Sequence, residues 1–153
     1  MPKLNFPEVE VRTRLKNGVL YLFDPIRKRW FQNTPEEWVR QNLLLFLHFY
    51  HGYPLGLMEV EKQIKLFNTV KRVDIICNDN TFKPRLIVEC KSPRIKINEV
   101  VFDQVIDYNM ALNVEFLFIS NGLKHFVIKF INGKTEFLKK IPDFDQLSGK
   151  SKK

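Results

Sequence analysis

Two charged residues interrupt a segment that otherwise has the character of a buried strand. The segment Leu86–Lys91 reads Leu-Ile-Val-Glu-Cys-Lys, and its apolar run is typical of a strand covered on both faces. Isolated charges in such a strand cost on the order of several kcal/mol unless they are paired or bind a metal. Because side chains alternate along a strand, Glu89 and Lys91 point to the same face. This face is therefore a candidate for a functional site that holds a cation.

A second carboxylate, Asp74, heads the preceding apolar strand. If the turn between the strands is symmetric about residues 81 and 82, Asp74 pairs with Glu89, and their Cβ atoms lie about 5 Å apart. Like charges placed opposite each other repel, so a cation must compensate. Lys91 is one candidate, and a divalent cation such as Mg²⁺, which proteins often hold with one or two carboxylates and water, is the other. The alternative is a buried ion cluster of Asp74, Lys91 and Glu89 that only fixes strand register. A slip of one residue would move Asp74 to the opposite face.

The elements that must position these residues follow from periodicity and turn signals. Thr34 is a suitable N-cap for a helix that runs to about Tyr50, since Pro35 fits the first turn and acidic residues follow. Strands are expected at Met58–Leu66, Val73–Cys77, Leu86–Lys91 and Glu115–Ser120, and a second helix at Asn98–Leu112. Hairpins are expected at both ends: an N-terminal one from the alternation at Val9 and Val11 through Asn17-Gly18 to Val19–Phe23, and a C-terminal one joining His125–Ile131 to Thr135–Leu138. The order predicts an α/β fold with a mixed β-sheet flanked by helices.

The spacing of the charged residues resembles the PD-(D/E)XK nuclease signature, because fourteen residues separate Asp74 from Glu89-Cys90-Lys91. Val73 stands where that signature nominally has proline. Further motifs are Pro35–Gln41, the Q-x-x-x-Y spacing of Gln104 and Tyr108, and Ser120-Asn121-Gly122. Over roughly residues 34–130 this series is similar to the N-terminal nuclease domain of type I restriction enzyme R (motor) subunits and their stand-alone relatives.

The resemblance implies a restriction-endonuclease-like αβββαβ core and Mg²⁺-dependent cleavage of DNA, with Mn²⁺ as a substitute. By the same resemblance Asp74 and Glu89 are metal ligands, and Lys91 orients water or stabilises charge on the phosphate. Gln104 and Tyr108 lie one helical turn apart and share a face that would help to place Lys91 or the DNA. Without the resemblance they are ordinary residues of an amphipathic helix.

The first helix offers one more acidic ligand. Glu36 shares the helix face of Val39 and Leu43, which should pack on the sheet, and it is the preferred catalytic and metal-binding residue. Glu37, three residues after Thr34, is the other candidate, although the capping box explains it. Both also suit the positive end of the helix dipole.

Charge and composition narrow the possible partners. The net charge of +8 favours a polyanion such as DNA. The segment Arg27–Trp30 is a basic patch beside an aromatic ring, which is either a solvated edge or a phosphate contact. Cys77 and Cys90 lack zinc spacing, and buried reduced thiols are the favoured interpretation. No segment resembles a signal peptide or a membrane span, so a cytoplasmic protein is expected.

The predicted domains are an N-terminal β-hairpin extension (1–33), a PD-(D/E)XK nuclease-like domain (34–141) and a basic C-terminal tail (142–153). The leading hypothesis is a Mg²⁺-dependent DNA endonuclease of a restriction–modification system, with other restriction subunits as possible partners. One alternative is a DNA-binding module of the same fold that does not cleave. Another is an interaction domain in which the charged cluster is a salt bridge. The sequence does not indicate an oligomeric state or a DNA sequence preference.

Overall fold

Two β-sheets and three α-helices make up residues 1–147, the part of the chain that the computed structural model describes. A three-stranded sheet precedes a six-stranded sheet. The elements are β1 (Thr13–Lys16), β2 (Val19–Asp24), β3 (Arg29–Gln32), α1 (Pro35–His51), β4 (Met58–Leu66), β5 (Thr69–Asn78), β6 (Pro84–Cys90), α2 (Glu99–Leu112), β7 (Phe116–Ser120), β8 (His125–Ile131), β9 (Lys134–Leu138) and α3 (Phe144–Leu147).

The large sheet is mixed, as predicted. Its strand order is β4-β5-β6-β7-β8-β9, and β6 and β7 are parallel while the other neighbours are antiparallel. Helix α2 forms the crossover that a parallel connection requires. The series α1, β4, β5, β6, α2, β7 confirms the expected restriction-endonuclease-like αβββαβ order, and β8 and β9 form the expected C-terminal hairpin.

The sheet is buried between two core layers. Leu86 and Val88 of β6 pack with α1 residues such as Val39 and Leu43. We call the apolar cluster on this side of the sheet the first core layer. Ile87, between them, packs on the other side with Val101, Val105 and Tyr108 of α2. The cluster on that side is the second core layer. All three β6 residues are fully buried. The apolar run therefore serves both faces of a central strand, as its composition indicated.

Local signals fix the ends of α1. The Thr34 hydroxyl accepts a hydrogen bond from the Glu37 backbone N–H at 3.1 Å, and Pro35 occupies the first turn. At the other end Gly52 adopts a left-handed conformation, with φ of 75°, and its N–H bonds to the Leu47 carbonyl. The helix therefore presents its first two turns, with Glu36 and Arg40, at a fixed place beside the sheet.

The N-terminal prediction was partly wrong. The region forms three strands instead of two, and β1 begins at Thr13, because Val9 and Val11 pack against the first core layer instead of pairing in a sheet. Strand β3 begins within the basic patch. Asp24 accepts hydrogen bonds from the backbone N–H groups of residues 26 and 27, and Lys28 takes a positive φ of 55°, so the chain reverses direction before β3.

The predicted tail contains ordered structure. Residues 144–147 form α3, and Phe144 packs edge-on against Tyr53 with ring centroids 5.9 Å apart. Residues 148–153 of the predicted basic tail lie outside the described residues. Between residues 1 and 147, none of the helices has the length and apolar character needed to cross a membrane.

Candidate active site

The predicted register of β5 and β6 is confirmed. Ile75 pairs with Val88, Ile76 with Ile87, and Cys77 with Leu86. One further step along this ladder places Asp74 opposite Glu89. Both side chains are buried, with 5% and 4% of their surfaces exposed. Two carboxyl groups therefore meet at one end of the central strands.

Asp74 is held by two donors from different elements. Its Oδ1 accepts a hydrogen bond from Arg40 Nη2 at 2.7 Å, and its Oδ2 accepts one from the Cys90 backbone N–H at 2.7 Å. The first contact joins β5 to α1, and the second joins it to β6. Because both oxygens are fixed, the direction of this carboxylate is set by the fold.

Glu89 is only half satisfied. Its Oε1 lies 3.1 Å from Lys91 Nζ, whereas its buried Oε2 has no hydrogen-bond partner among residues 1–147. Burial and then the negative charge of Asp74 raise the pKa of Glu89 to about 8, and Lys91 opposes part of this shift. Since the two carboxyl groups interact this closely, a proton or a cation between them is needed to offset their repulsion.

A chain of hydrogen bonds positions Lys91. Its Nζ donates to Gln104 Oε1 at 3.2 Å, and the Gln104 amide donates to the Tyr108 hydroxyl at 2.8 Å. Burial and then the charge of Glu89 raise the pKa of Tyr108 to about 12, so its hydroxyl stays neutral. The face of α2 that carries Gln104 and Tyr108 thus lies beside the end of β6, where the family resemblance led us to expect it.

Arg40 is the most heavily engaged cation of the cluster. In addition to Asp74, its Nη2 lies 2.6 Å from Glu61 and 3.3 Å from Glu36, and its Nη1 lies 2.7 Å from Glu37. Burial lowers the pKa of Arg40, but the neighbouring carboxylates outweigh this and raise it overall. The sequence prediction did not include this residue, although its position one turn after Glu36 placed it on the same helix face.

Glu61 is the second residue that the prediction missed, and its backbone is unusual. It has a φ of 56° within β4, and the register of β4 and β5 places it opposite Asp74, between the pairs Val60–Ile75 and Lys62–Val73. A non-glycine residue in this region is uncommon in a strand and often marks a functional site.

The strands change sides at Glu61 and Asp74. Val60 and Ile75 pack in the first core layer, whereas Ile64 and Val73 pack in the second. The charged cluster therefore lies where the two strands leave one core layer for the other.

The two glutamates of the first helical turn have separate environments. Glu37 is buried, and its Oε1 lies 3.0 Å from Arg27 Nη2. The Gln41 side-chain amide donates hydrogen bonds to both Glu37 and Asp24. Glu36 contacts Arg40 and keeps 47% of its side chain exposed. Burial and the charge of Asp74 raise the pKa of Glu36. Glu36 thus borders the Asp74 cluster, and Glu37 also links α1 to the small sheet.

These contacts lie in a region with a recognisable family relationship. A family model described as the type I restriction enzyme R protein N terminus matches residues 35–142, which is more than two thirds of the chain. The chain belongs to this family. The R-protein N-terminal match includes every candidate residue described above: Glu36, Arg40, Glu61, Asp74, Glu89, Lys91, Gln104 and Tyr108.

A solved structure is also similar. It is a fragment assigned as an HsdR subunit of a type I restriction enzyme from Vibrio vulnificus YJ016, with 19% identity and a TM-score of 0.49. The match covers 66% of the protein described here and 22% of the Vibrio chain, so it spans only about a fifth of that relative. Comparison with curated proteins gives no match.

The donor atoms suit a divalent cation held by two protein ligands. No group of three or more His, Cys, Asp and Glu side chains within residues 1–147 is arranged to hold a metal ion. Arg40 contacts Glu36, Glu61 and one oxygen of Asp74, whereas Oε2 of Glu89 has no hydrogen-bond donor. Mg²⁺ is commonly bound through one or two carboxylates, with water and substrate oxygens as the other ligands. The pair Asp74 and Glu89 fits that pattern, and Glu36 as a third ligand stays a prediction.

The Ser120-Asn121-Gly122 segment supports the loop that follows Lys91. Asn121 donates a side-chain hydrogen bond to the Ile95 carbonyl at 2.8 Å. Gly122 has a φ of 87°, and a Cβ atom there would lie 2.6 Å from Leu4. The Ser120 carbonyl accepts a hydrogen bond from the Lys91 N–H at 2.8 Å, so the segment also anchors the chain directly after β6.

The candidate site is open to solvent through Lys91 and Glu36 instead of lying in a deep cavity. A cavity of about 900 Å³ is found elsewhere, lined by residues such as His51, Glu115 and Lys129, and none of the candidate residues lines it. An open site suits a bulky substrate better than a small molecule, since pockets for small molecules enclose most of the ligand.

Proposed function

We propose that this R-protein N-terminal domain is a Mg²⁺-dependent DNA endonuclease that hydrolyses phosphodiester bonds. The observation that supports this most is the pair of buried carboxyl groups of Asp74 and Glu89, of which Glu89 Oε2 has no donor while Lys91 stands beside its other oxygen. A repulsive pair of this kind is typical of a cation site. Family membership provides the context in which DNA is the expected substrate.

In this proposal Asp74 and Glu89 hold the cation. A bound Mg²⁺ would polarise the phosphate and lower the pKa of bound water. The backbone N–H of Cys90 and the guanidinium of Arg40 keep the Asp74 carboxylate directed. In hydrolysis a water oxygen bonds to phosphorus and gives up a proton, the bond from phosphorus to one ester oxygen breaks, and the departing oxygen takes up a proton.

Lys91 supplies positive charge at the reacting phosphate. Its side chain is 20% exposed, so it reaches solvent while its ammonium group contacts Gln104 and Glu89. A cation that is already oriented stabilises the extra negative charge of the transition state without reorganisation. Gln104 is a positioning residue in this scheme, because it holds Lys91, and Tyr108 acts one step further away by holding Gln104.

The biological setting forms part of the same proposal. The chain works in the cytoplasm within a restriction–modification system, alongside other restriction subunits. The family match and the +8 net charge support this setting and the choice of DNA.

A second candidate function is supported by Arg40. Its Nη2 contacts Asp74 Oδ1, where it provides positive charge beside a proposed metal ligand. A domain in which the arginine fully replaced a metal ion would bind DNA without cleaving it. Binding that is insensitive to EDTA, together with intact plasmid at every metal concentration, would favour this alternative.

Nicking of supercoiled plasmid tests the leading proposal. Wild-type protein should nick plasmid in Mg²⁺ or Mn²⁺ and stop in EDTA. Lys91→Ala should lose activity by about a hundredfold or more. Lys134→Ala, which removes an exposed lysine at the start of β9, is the matched control and should keep wild-type activity. Intact plasmid with the folded wild-type protein in both metals would rule out cleavage by this domain.

A further inference from the structure

The three-stranded sheet carries an unusual concentration of positive charge. Residues 12–32 contain six Lys and Arg residues against one acidic residue, Asp24, and so hold more than half of the net charge of +8. Asp24 is fully buried and bound to Arg27, so it does not neutralise the surface. These residues precede the family match at residues 35–142. The charge therefore belongs to a part of the chain for which the family gives no role.

The sheet has one face toward α1 and one away from it. Leu22 is fully buried on the inner face, and Asp24, next but one along β2, accepts a hydrogen bond from Gln41 of α1 at 2.8 Å. Phe23 lies between them and therefore points to the outer face. Trp30 pairs with Phe23 in register, so the two rings share that face, with centroids 5.3 Å apart.

Two arginines cover these rings. The guanidinium carbon of Arg12 lies 4.5 Å from the centroid of the Phe23 ring and 5.4 Å from that of Trp30. The guanidinium carbon of Arg14 lies 4.4 Å from the Trp30 ring. Stacking on an aromatic ring restricts the motion of a guanidinium and leaves its N–H donors available at the edge.

The cations of this face have no acidic partners. Within residues 1–147, Arg12, Arg14 and Lys16 make no salt bridge, in contrast to Arg27, which is used inside the protein by Asp24 and Glu37. Positive charges that are ordered, exposed and unpaired favour binding of an anion, because little entropy remains to be lost on binding.

We infer that the outer face of the β1-β2-β3 sheet binds the phosphate backbone of duplex DNA, with Arg12 and Arg14 as the principal contacts. Arg12, directly before β1, and Arg14 within it lie two residues apart beside the same pair of rings, so both can contact phosphates of one backbone. Bases of a single strand would need open ring faces for stacking, and here guanidinium groups cover the rings. The choice of DNA rests on the proposed function, whereas the phosphate-binding surface rests on the sheet itself.

The surface is joined to the candidate active site by buried polar contacts. Asp24 binds Arg27, Arg27 binds Glu37, Glu37 binds Arg40, and Arg40 binds Asp74. These contacts fix the small sheet against the first turn of α1. A duplex held on the sheet would therefore lie on an element that is rigidly attached to the cluster around Asp74.

Fluorescence anisotropy with a labelled 20-base-pair duplex in EDTA tests the inference without cleavage. Arg12→Gln/Arg14→Gln should weaken binding at least about tenfold and reduce the salt dependence by about two phosphate contacts. Lys134→Gln/Lys139→Gln removes the same charge from exposed positions elsewhere and should change affinity by less than about threefold. Arg12→Lys/Arg14→Lys keeps the charge but loses planar stacking, and should give an intermediate affinity.

A direct readout comes from Trp30. The chain has two tryptophans, so Trp38→Phe leaves Trp30 as the only tryptophan, whose emission can be excited selectively over that of the tyrosines. Adding duplex should change its emission, and the change should disappear in the Arg12→Gln/Arg14→Gln background. Circular dichroism and thermal melting confirm that each variant is folded.

Several results would overturn the inference. One is that Arg12→Gln/Arg14→Gln binds duplex as tightly as wild type, or loses no more affinity than Lys134→Gln/Lys139→Gln. Another is that the arginines favour single-stranded over duplex DNA. A third is that the wild-type protein binds no DNA. Failure of the proposed function is a separate result: arginine-dependent binding with intact plasmid in Mg²⁺ removes the nuclease and keeps the surface. Metal-dependent nicking together with unchanged DNA binding by the arginine variant would support the nuclease and remove the proposed binding surface.

Discussion

Replacing Glu89 by Gln should stabilise the metal-free protein at neutral pH while removing a proposed metal ligand. The glutamine keeps an oxygen near Lys91 and places an amide where the carboxylate oxygen Oε2 has no donor. It also removes a negative charge that faces Asp74. A stabilising change at a residue needed for activity is the usual sign of a site in which stability is sacrificed for function.

The magnitude follows from the raised pKa of Glu89. Its value moves from 4.5 to about 8, and each unit corresponds to about 1.36 kcal/mol between folded and unfolded states. Because the pKa is raised in the folded state, the associated stability is present below about pH 4.5 and is lost as pH rises toward 8. The loss is on the order of 4 kcal/mol, and the weakened Lys91 contact offsets part of the gain in the variant, leaving about 2 to 4 kcal/mol at pH 8.

Urea unfolding in EDTA at pH 5, 6.5 and 8 measures this difference. The variant should be more stable than wild type at pH 8, and the advantage should shrink toward pH 5. Glu136→Gln, at an exposed position on β9, is the control and should show no such trend. A Glu89→Gln protein that is equally stable or less stable than wild type at pH 8 would refute the reasoning.

Three further predictions concern the contacts around the site. Arg40→Met should lower the free energy of unfolding by about 3 to 5 kcal/mol in urea, because it leaves buried carboxylates without their cation; a loss below 1 kcal/mol would contradict the assigned network. Gln104→Leu should reduce nicking while changing the melting temperature little, because it frees Lys91, and unchanged nicking would remove Gln104 from the site. The pKa of Asp24 is lowered: burial raises it, but hydrogen bonds from Arg27 and Gln41 outweigh this. Wild type should therefore lose stability as pH falls below about 4, and Asp24→Asn, less stable at pH 7, should show a shallower acid dependence in urea titrations.

The position of the carboxylate pair could be predicted because strand periodicity and turn position constrain it together. The expected register of Asp74 and Glu89 is correct although the turn differs from the symmetric one assumed. An irregularity at residues 77 and 78 and a positive φ at Phe82 change the turn, and the ladder from Cys77 to Ile75 nevertheless keeps the expected pairing. Burial of one side fixes the register more strongly than turn geometry does.

Glu61 was accessible to the same reasoning. A turn symmetric about residues 67 and 68 places Glu61 opposite Asp74, by the arithmetic that paired Asp74 with Glu89. The predicted strand Met58–Leu66 contained it, but its polar neighbours resemble a solvated edge. Its positive φ carries no sequence signal, because it arises where the two strands change core layers.

Arg40 and β3 depend on tertiary contacts that local patterns do not record. An arginine in the second turn of a helix is ordinarily exposed, and only the approach of Asp74 and Glu61 from the sheet buries it. Strand β3 has four residues and begins in a basic patch, so its alternation is too short to indicate a strand. Pairing with β2 stabilises it instead.

The binding of Mn²⁺, followed by the electron paramagnetic resonance signal of the free ion, tests the central claim most directly. Wild-type protein should bind Mn²⁺ saturably and release it to Mg²⁺. Asp74→Asn should remain folded and lose this binding, whereas Glu136→Gln should bind as wild type does. A folded Asp74→Asn protein with wild-type affinity, or a wild-type protein that binds no Mn²⁺, would show that the carboxylates of β5 and β6 do not form a cation site.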